Sequence, residues 1–408
     1  MSNTVVCPNC LKKLSFGDVI FECGNRDRSK ELTCSYYPRG KNGEIDMKEM
    51  IDMQAVPWIW QIPGKKIPKC PKCHEPVRII KCRHCKEELP FGIFDCDKRF
   101  RFGVFGTTGS GKTTFLTMML MMFPKLTGML IEGWDKEHFK KYTENKNQIQ
   151  DGRVVEATRS GLDKPWLCLL RDRVSKGGKT PLYSMMVFDS SGHDSENVTD
   201  TVKTMLKGVN SLVILFDPLT LPSVREELVY QKETAEEAEQ MEKRINRSRG
   251  GTAAGSGDVC NMVAEFANYI RSCFGYRRNE QIDRDVAVVF TKFDLIRDMF
   301  PEGSKAAKPK SYTEKDGSVY FDEEEADTVS REIEDWLREK GENEFLSVIK
   351  TNFKEDRLKF FAVSSLGHAP DDQRKIGKPH PHRVLDPFIW MLWLEGVIKS
   401  KPGSNKGR

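Results

Sequence analysis

"RFRFGVFGTTGSGKTTFLTMMLMMF", residues 99–123, changes texture twice. The first eight residues are rich in aromatic and β-branched types and read as a strand. The middle is a glycine-rich turn, and the end is an apolar run with helical spacing. Strand, turn and helix in that order give G-x-x-x-x-G-K-[ST] a physical meaning. The glycines let the backbone wrap so that successive N–H groups point inward, and the helix adds its positive end. The stretch predicts an anion cradle made by Gly106, Thr107, Thr108, Gly109, Ser110, Gly111, Lys112, Thr113 and Thr114. The Lys112 ammonium would reach terminal phosphates, and the Thr113 hydroxyl would ligate Mg²⁺. The methionine-rich face that follows reads as core packing.

Working outward, strand candidates recur at 165–172 (PWLCLLRD), 182–189 (LYSMMVFD), 211–217 (SLVILFD), 285–292 (DVAVVFTK) and 358–365 (LKFFAVSS), with helical stretches between most of them. That alternation predicts an α/β fold with a mixed, mostly parallel sheet flanked by helices. The short link RVSKGGKTP (173–181) suits an antiparallel hairpin. Two insertions are expected, at 223–257 and 297–321. The first holds a charge-dense helical run (223–249), read as a solvated helix with a partner-facing arm as the sharper alternative. In the second, residues 301–320 read as a surface loop. The basic tail 401–408 reads as disordered.

The strand at 182–189 ends in VFDSSGHD. Asp189 can hold Mg²⁺ through water at a strand end, and Gly192 leaves room for a backbone N–H beside a γ-phosphate. The order GTTGSGKT, DSSG, TKFD (291–294), AVSSLG (362–367) resembles the motif series of Ras-like P-loop GTPases of the translation-factor-related (TRAFAC) class. The resemblance covers roughly residues 99–398. It implies a P-loop NTPase fold that binds GTP and GDP with Mg²⁺ and hydrolyses GTP. By the same match, Thr291, Lys292 and Asp294 form the guanine-reading corner. Asp294 accepts from the base, the Lys292 stem lies along it, and Ser364 and Ser365 supply backbone contacts. His193 would orient the attacking water. Thr158, with Thr143 as fallback, would complete the Mg²⁺ shell, and Arg153 or Arg159 could stabilise charge in cis. Switch segments are expected near 134–164 and 190–205. Thr108, standing where Ras-like members have glycine, crowds the route of a partner's arginine.

Twelve cysteines in a chain of 408 residues need a reason, and eight lie before residue 86. C-x₂-C-x₈-C-x₂-C at Cys70, Cys73, Cys82 and Cys85 predicts a zinc ribbon, with His74 and His84 as alternates. Cys7, Cys10, Cys23 and Cys34 are the candidate second zinc set. Cys96, Cys168, Cys260 and Cys273 read as buried residues. The expected domains are a cysteine-rich module at 1–64, a ribbon at 65–97, a GTPase domain at 98–400 and the tail.

The net charge of +5 comes from residues 1–100, which hold 18 Lys/Arg against 13 Asp/Glu. Each four-thiolate zinc site would remove about two charges from that excess. Charge therefore does not by itself argue for nucleic acid, although residues 65–86 stay basic. Docking of a protein effector or a second GTPase is the preferred role, and nucleic-acid contact the lesser one. The domain layout also resembles bacterial double-GTPase families. No apolar stretch reaches the length of a membrane span, and the opening MSNTVVCPNC has no basic-then-apolar leader, so a cytoplasmic location is expected. The competing readings are a nucleotide-binding scaffold with negligible turnover and a nucleotide-gated nucleic-acid binder.

Overall fold

The computed structural model describes residues 4–15, 18–22, 25–27, 32–34, 79–90, 93–94, 96–106, 109–133, 136–155, 166–171, 182–189, 209–232, 234–248, 256–315, 318–371, 373 and 375–403. The chain divides into two compact units, residues 1–99 with 181–184, and the remainder.

The first unit is built from very short strands. β1 (Val5–Val6) pairs antiparallel with β2 (Lys13–Leu14). β3 (Val19–Glu22) pairs not with its sequence neighbours but with β6 (Ile79–Cys82), and β6 with β7 (Glu88–Leu89). β4 (Asn25–Asp27) and β5 (Leu32–Cys34) form a separate hairpin. The β3–β6 ladder crosses the expected boundary at residue 64, so the two cysteine-rich stretches interleave rather than follow one another.

Seven further strands form one sheet. They are β8 (Lys98–Gly106), β9 (Leu130–Gly133), β10 (Trp166–Arg171), β11 (Leu182–Asp189), β12 (Ser211–Phe216), β13 (Asp285–Phe290) and β16 (Leu358–Ala362), in the order β16-β13-β12-β8-β11-β10-β9. The ladders β8–β12, β12–β13 and β13–β16 are parallel, whereas β9–β10 is antiparallel. Every residue of β12 is buried, as expected of a central strand covered on both faces. The chain leaves β8 toward one side of the sheet and later returns to the other. The C-terminal end of β8 is therefore a topological switch point, where open α/β sheets bind ligands.

The helices are α1 (Lys112–Thr127), α2 (Lys136–Gln150), α3 (Pro222–Tyr230), α4 (Ala235–Ser248), α5 (Ser256–Phe274), α6 (Glu323–Glu339), α7 (Asn343–Asn352) and α8 (Asp386–Leu394). α1 buries Phe115, Leu116, Met118, Met119, Leu120 and Phe123, so its methionines are core. α6 starts on Asp322, whose carboxylate accepts from Glu325 N, and buries Ala326, Val329, Ile333, Trp336 and Leu337 at helical spacing. Its Trp336 packs edge-to-face on Phe290 at 6.2 Å, which seats the helix on the sheet.

Three expectations are corrected. The run 223–249 is two helices broken near residues 231–234. α3 buries Val224 and Leu228, and Ser223 Oγ donates to Glu342 at 2.7 Å, so its first half belongs to the domain. The expected loop at 301–320 contains β14 (Tyr312–Lys315), which pairs with β15 (Ser318–Phe321), which in turn pairs with β17 (Lys399–Ser400). The expected tail begins ordered, because Lys401 N donates to Phe321 O at 2.8 Å and its ammonium pairs with Asp322 at 2.6 Å.

Arg383 fixes that second insertion. Its guanidinium is buried and donates to Lys305 O (2.5 Å), Lys308 O (2.7 Å), Ser311 Oγ, Glu325 (3.1 Å) and Asp386 (2.7 Å). Burial raises the Asp386 carboxyl above its ordinary range, against the pull of Arg383. Asp386 also accepts from Ser311 N at 3.1 Å. Arg383→Met should cost about 3–5 kcal/mol, because it strands a buried acid. Arg383→Met/Asp386→Leu should recover most of that, read from urea unfolding midpoints.

Candidate functional site

The phosphate loop sits where β8 hands over to α1. Gly111 precedes the helix with φ +81°, a left-handed conformation open to glycine, and its carbonyl accepts from Phe115 N at 2.8 Å. Gly106 is required by space: a Cβ there would stand 2.5 Å from Leu215 O and 2.8 Å from Ser110 Oγ. Ser110 is fully buried, and its hydroxyl has no hydrogen-bond partner among the described residues. Lys112 is buried and donates to Gly106 O at 2.6 Å, which curls its ammonium back over the loop. Thr113 and Thr114 lie in the first helical turn, half-buried. Thr107 and Thr108 lie outside the described residues.

The register of the parallel strands brings the other candidates to this edge. Leu215 pairs with Gly106, Phe216 with Phe290, and Phe290 with Ala362. Asp217, Thr291 and Val363 therefore follow side by side. Each residue of the tetrapeptide 291–294 has its own anchor. Thr291 donates both its N–H (2.8 Å) and its hydroxyl (3.1 Å) to Phe216 O. Lys292 adopts φ +53° and places its ammonium 2.5 Å from Asp217 Oδ2. Phe293 is wholly buried, donates N–H to Val363 O at 3.1 Å and packs on Phe300. Asp294 accepts a short hydrogen bond from Ser364 Oγ, which itself accepts from Gly367 N at 2.9 Å. Ser365 is half-buried in the same turn.

Two residues that sequence reasoning missed support this corner. Asp217 is buried, caps a short 3₁₀ turn by accepting from Leu219 N at 3.0 Å, and pairs with Lys292. Its position just past a strand was the only signal available. His382 exchanges backbone hydrogen bonds with Ser364 (3.0 and 2.8 Å) and stacks on Phe293 with ring centroids 5.2 Å apart. Its Nε2 lies 2.8 Å from Ala306 O and its Nδ1 3.1 Å from Arg297 Nη2. A neutral ring with the proton on Nε2 satisfies both partners.

Asp189 ends β11. Asp97 N donates to Leu182 O at 2.7 Å, so β11 and β8 start together and β11 ends at the same edge as Gly106. The Asp189 side chain, and all of Gly192, His193, Thr158 and Arg159, lie outside the described residues. Thr143 is in mid-helix in α2, where its hydroxyl donates to Phe139 O at 2.8 Å. That helix occupies 136–150 of the expected first switch segment. A cavity of about 630 Å³ lined by Gln281, Ser347, Lys350, Thr351 and Glu355 sits at the N-terminal ends of β13 and β16, the wrong end of the sheet for a ligand of this fold.

The cysteine centre differs from the expected sets. Cys7, Cys10, Cys82 and Cys85 bring their sulfurs within 4.8 Å of one another. The Cys7–Cys85 and Cys10–Cys82 separations are 3.7 and 3.8 Å. Tetrahedral zinc with Zn–S bonds of about 2.3 Å has edges of about 3.8 Å, which these two separations match, so the four thiols could hold such an ion. The two knuckles match each other. Leu11 N donates to Cys7 O and Lys86 N to Cys82 O, both at 2.9 Å, and Leu11 and Lys86 both have positive φ. Burial raises the Cys7 thiol strongly and the Cys85 thiol to about 11. For Cys82, the N–H groups of Cys85 and His84 outweigh burial and lower it. Cys23, Cys70, Cys73 and His74 lie outside the described residues, as does the Cys34 side chain. His84 is exposed and gives only a backbone N–H to Cys82 Sγ (3.4 Å). Cys96, Cys168 and Cys260 are buried, as expected.

Strand order, loop and helix define a phosphate-loop α/β domain joined to a unit with a four-thiol centre. The chain matches no family model and no curated protein. Among solved structures it is similar to the S. cerevisiae Ski7 GTPase-like domain bound to GDP and inorganic phosphate, with 10% identity over 75% of this chain and 52% of that one and a TM-score of 0.28. The same domain bound to GTP gives 12% identity over 78% and 54%, with a TM-score of 0.30. For sup35 complexed with GDP the figures are 12%, 66%, 37% and 0.24. The chain spans about half the length of the Ski7 structures it matches. Among the described residues, no helix is long and apolar enough to cross a membrane.

Burial, with Arg297 and Arg383 close by, lowers the His382 imidazole from 6.5 to about 4, against the pull of Ala306 O. The folded state therefore takes up this proton later than the unfolded chain. The stability that follows is fully present above pH 6.5 and is lost as pH falls toward 4. The stability difference between wild type and His382→Gln should shrink by up to about 3 kcal/mol across that window, measured by chemical unfolding at stepped pH.

Proposed function

We propose that this chain binds GTP with Mg²⁺ and hydrolyses it to GDP and phosphate, acting as a switch on a protein effector or a second GTPase. The observation that carries the reading is the anchoring of residues 291–294 beside the phosphate loop. Asp294 is held by Ser364, Lys292 by Asp217, and both stand at the sheet edge that carries Gly106 and Lys112. A carboxylate fixed there accepts from the two donors of guanine, whereas adenine would leave it mispaired and desolvated. Lys112 would neutralise the β- and γ-phosphates, with Thr113, Thr158 and Asp189 around Mg²⁺ and His193 orienting the attacking water. The switch arms would be the segments 156–165 and 190–205, with partner contact through the cysteine unit or the 235–248 helix.

Equilibrium binding of GTP and ATP to the purified chain tests the base corner. GTP should bind at least about a hundredfold tighter, and Asp294→Asn should move the preference toward XTP, whose base replaces a donor with an acceptor. Equal affinity of the wild type for GTP and ATP would sink the reading.

The proposal extends to two zinc ions per chain. With Cys7, Cys10, Cys82 and Cys85 grouped, four N-terminal cysteines remain: Cys23, Cys34, Cys70 and Cys73. The antiparallel β3–β6 ladder supports pairing them, because the chain leaves Glu22 toward Cys23 at the end where it enters Ile79 from Cys73. Zinc content of double variants separates the groupings. Cys7→Ser/Cys82→Ser should lose one ion and Cys7→Ser/Cys23→Ser both. Sets taken in sequence order give the reverse.

A further inference from the structure

We infer that Asp217 is the positioning residue for nucleoside recognition, acting on the base through Lys292; this rests on the proposed nucleotide reading of the same edge. Asp217 is the first residue past β12, and its side chain is 2% exposed. One carboxylate oxygen accepts from Leu219 N at 3.0 Å, which fixes the carboxylate plane against the 3₁₀ turn Pro218–Thr220. The other oxygen holds the Lys292 ammonium at 2.5 Å. A buried carboxylate without a cation is costly, so the pair is strongly favoured once Asp217 is desolvated.

The consequence falls on Lys292, whose side chain is 22% exposed and whose backbone is left-handed. A lysine stem samples many rotamers when its ammonium is free in water. Here both ends are fixed, the backbone by the Thr291 and Phe293 hydrogen bonds and the ammonium by Asp217. The aliphatic stem between them becomes a rigid apolar strip on the way to Asp294, a surface on which a flat base can lie. The same anchor ties nucleoside recognition to the phosphate loop, because Leu215, two residues before Asp217, pairs with Gly106. Asp217 need not touch the nucleotide to set its affinity.

The experiment is a double-mutant cycle of Asp217→Asn and Lys292→Met on the full chain, titrated with GTP, ATP and Mg²⁺–inorganic triphosphate. Asparagine keeps the shape and the bond to Leu219 N while removing the charge. Asp217→Asn should weaken the preferred nucleoside triphosphate about tenfold and leave inorganic triphosphate unchanged. Added to Lys292→Met it should weaken binding no further, since both act through one contact. Additive effects, or equal weakening of nucleoside triphosphate and inorganic triphosphate, would overturn the inference. So would full affinity in Asp217→Asn. Failure of the base reading itself is separate: the wild type would then bind GTP and ATP equally, and the cycle would still report on whichever nucleotide binds. A lower melting temperature in Asp217→Asn with triphosphate binding intact keeps the cycle interpretable.

Discussion

Phe216 O accepts two hydrogen bonds from Thr291, one from the main chain and one from the hydroxyl. That carbonyl is where β12 stops pairing as a strand and starts holding a turn. Because Thr291 is pinned there, the chain must reverse within one residue to reach Val363 O through Phe293 N, and Lys292 takes a left-handed conformation to do so. A lysine in that region costs of order 1 kcal/mol and persists only where its surroundings over-determine it. The carbonyl on one side, Val363 O on the other and Asp217 beneath supply that determination. Asp294 then falls opposite Ser364 without further adjustment. The candidate base corner is thus a consequence of the β12–β13–β16 register, and one residue of slippage in either ladder would dissolve it.

The phosphate loop was legible in the amino-acid sequence because its geometry is local, whereas the tetrapeptide 291–294 showed only as a pattern after a strand, its anchors being 70 to 75 residues away. A strand, a glycine turn and a helix are contiguous, and the left-handed and close-approach glycines sit inside the motif. Asp217 was not legible, since its partner is 75 residues away and meets it only because β12 and β13 are neighbours. Within the second insertion, residues 301–320 read as a surface loop because they are mostly polar. What orders it is Arg383, whose acceptors Lys305, Lys308 and Ser311 lie 72 to 78 residues upstream. The cysteines show the same limit more sharply. Spacing identifies knuckles, but connectivity among knuckles is a tertiary fact.

His382 and Arg383 are adjacent and do different work on the two sides of one segment. His382 faces Ser364 and Phe293, under the candidate base corner, and its ring reaches Ala306 in the insertion. Arg383 gathers three carbonyl or hydroxyl oxygens of the insertion and pairs with Glu325 and Asp386 on the helices beside it. A buried guanidinium is weak evidence for stability and better evidence for a defined arrangement. Here it converts a polar, lysine-rich stretch into a hairpin sheet whose outer partner is β17 near the end of the described chain. The segment His382–Arg383 thus ties the insertion to the backbone that carries Ser364, beside the packing of Phe300 on Phe293 and of Phe321 on Trp393.

The first unit solves the same problem with different chemistry. Its described strands are two to four residues long up to β7, too short to hold a fold by pairing alone. Two matched knuckles, about 75 residues apart, close on one another with all four sulfurs within 4.8 Å. An ion held by the four thiols would contribute its binding free energy to folding. The β3–β6 ladder begins at Cys82 itself, so the sheet and the centre share a residue. An ion held there would therefore couple the sheet to the centre, and its removal would release both together.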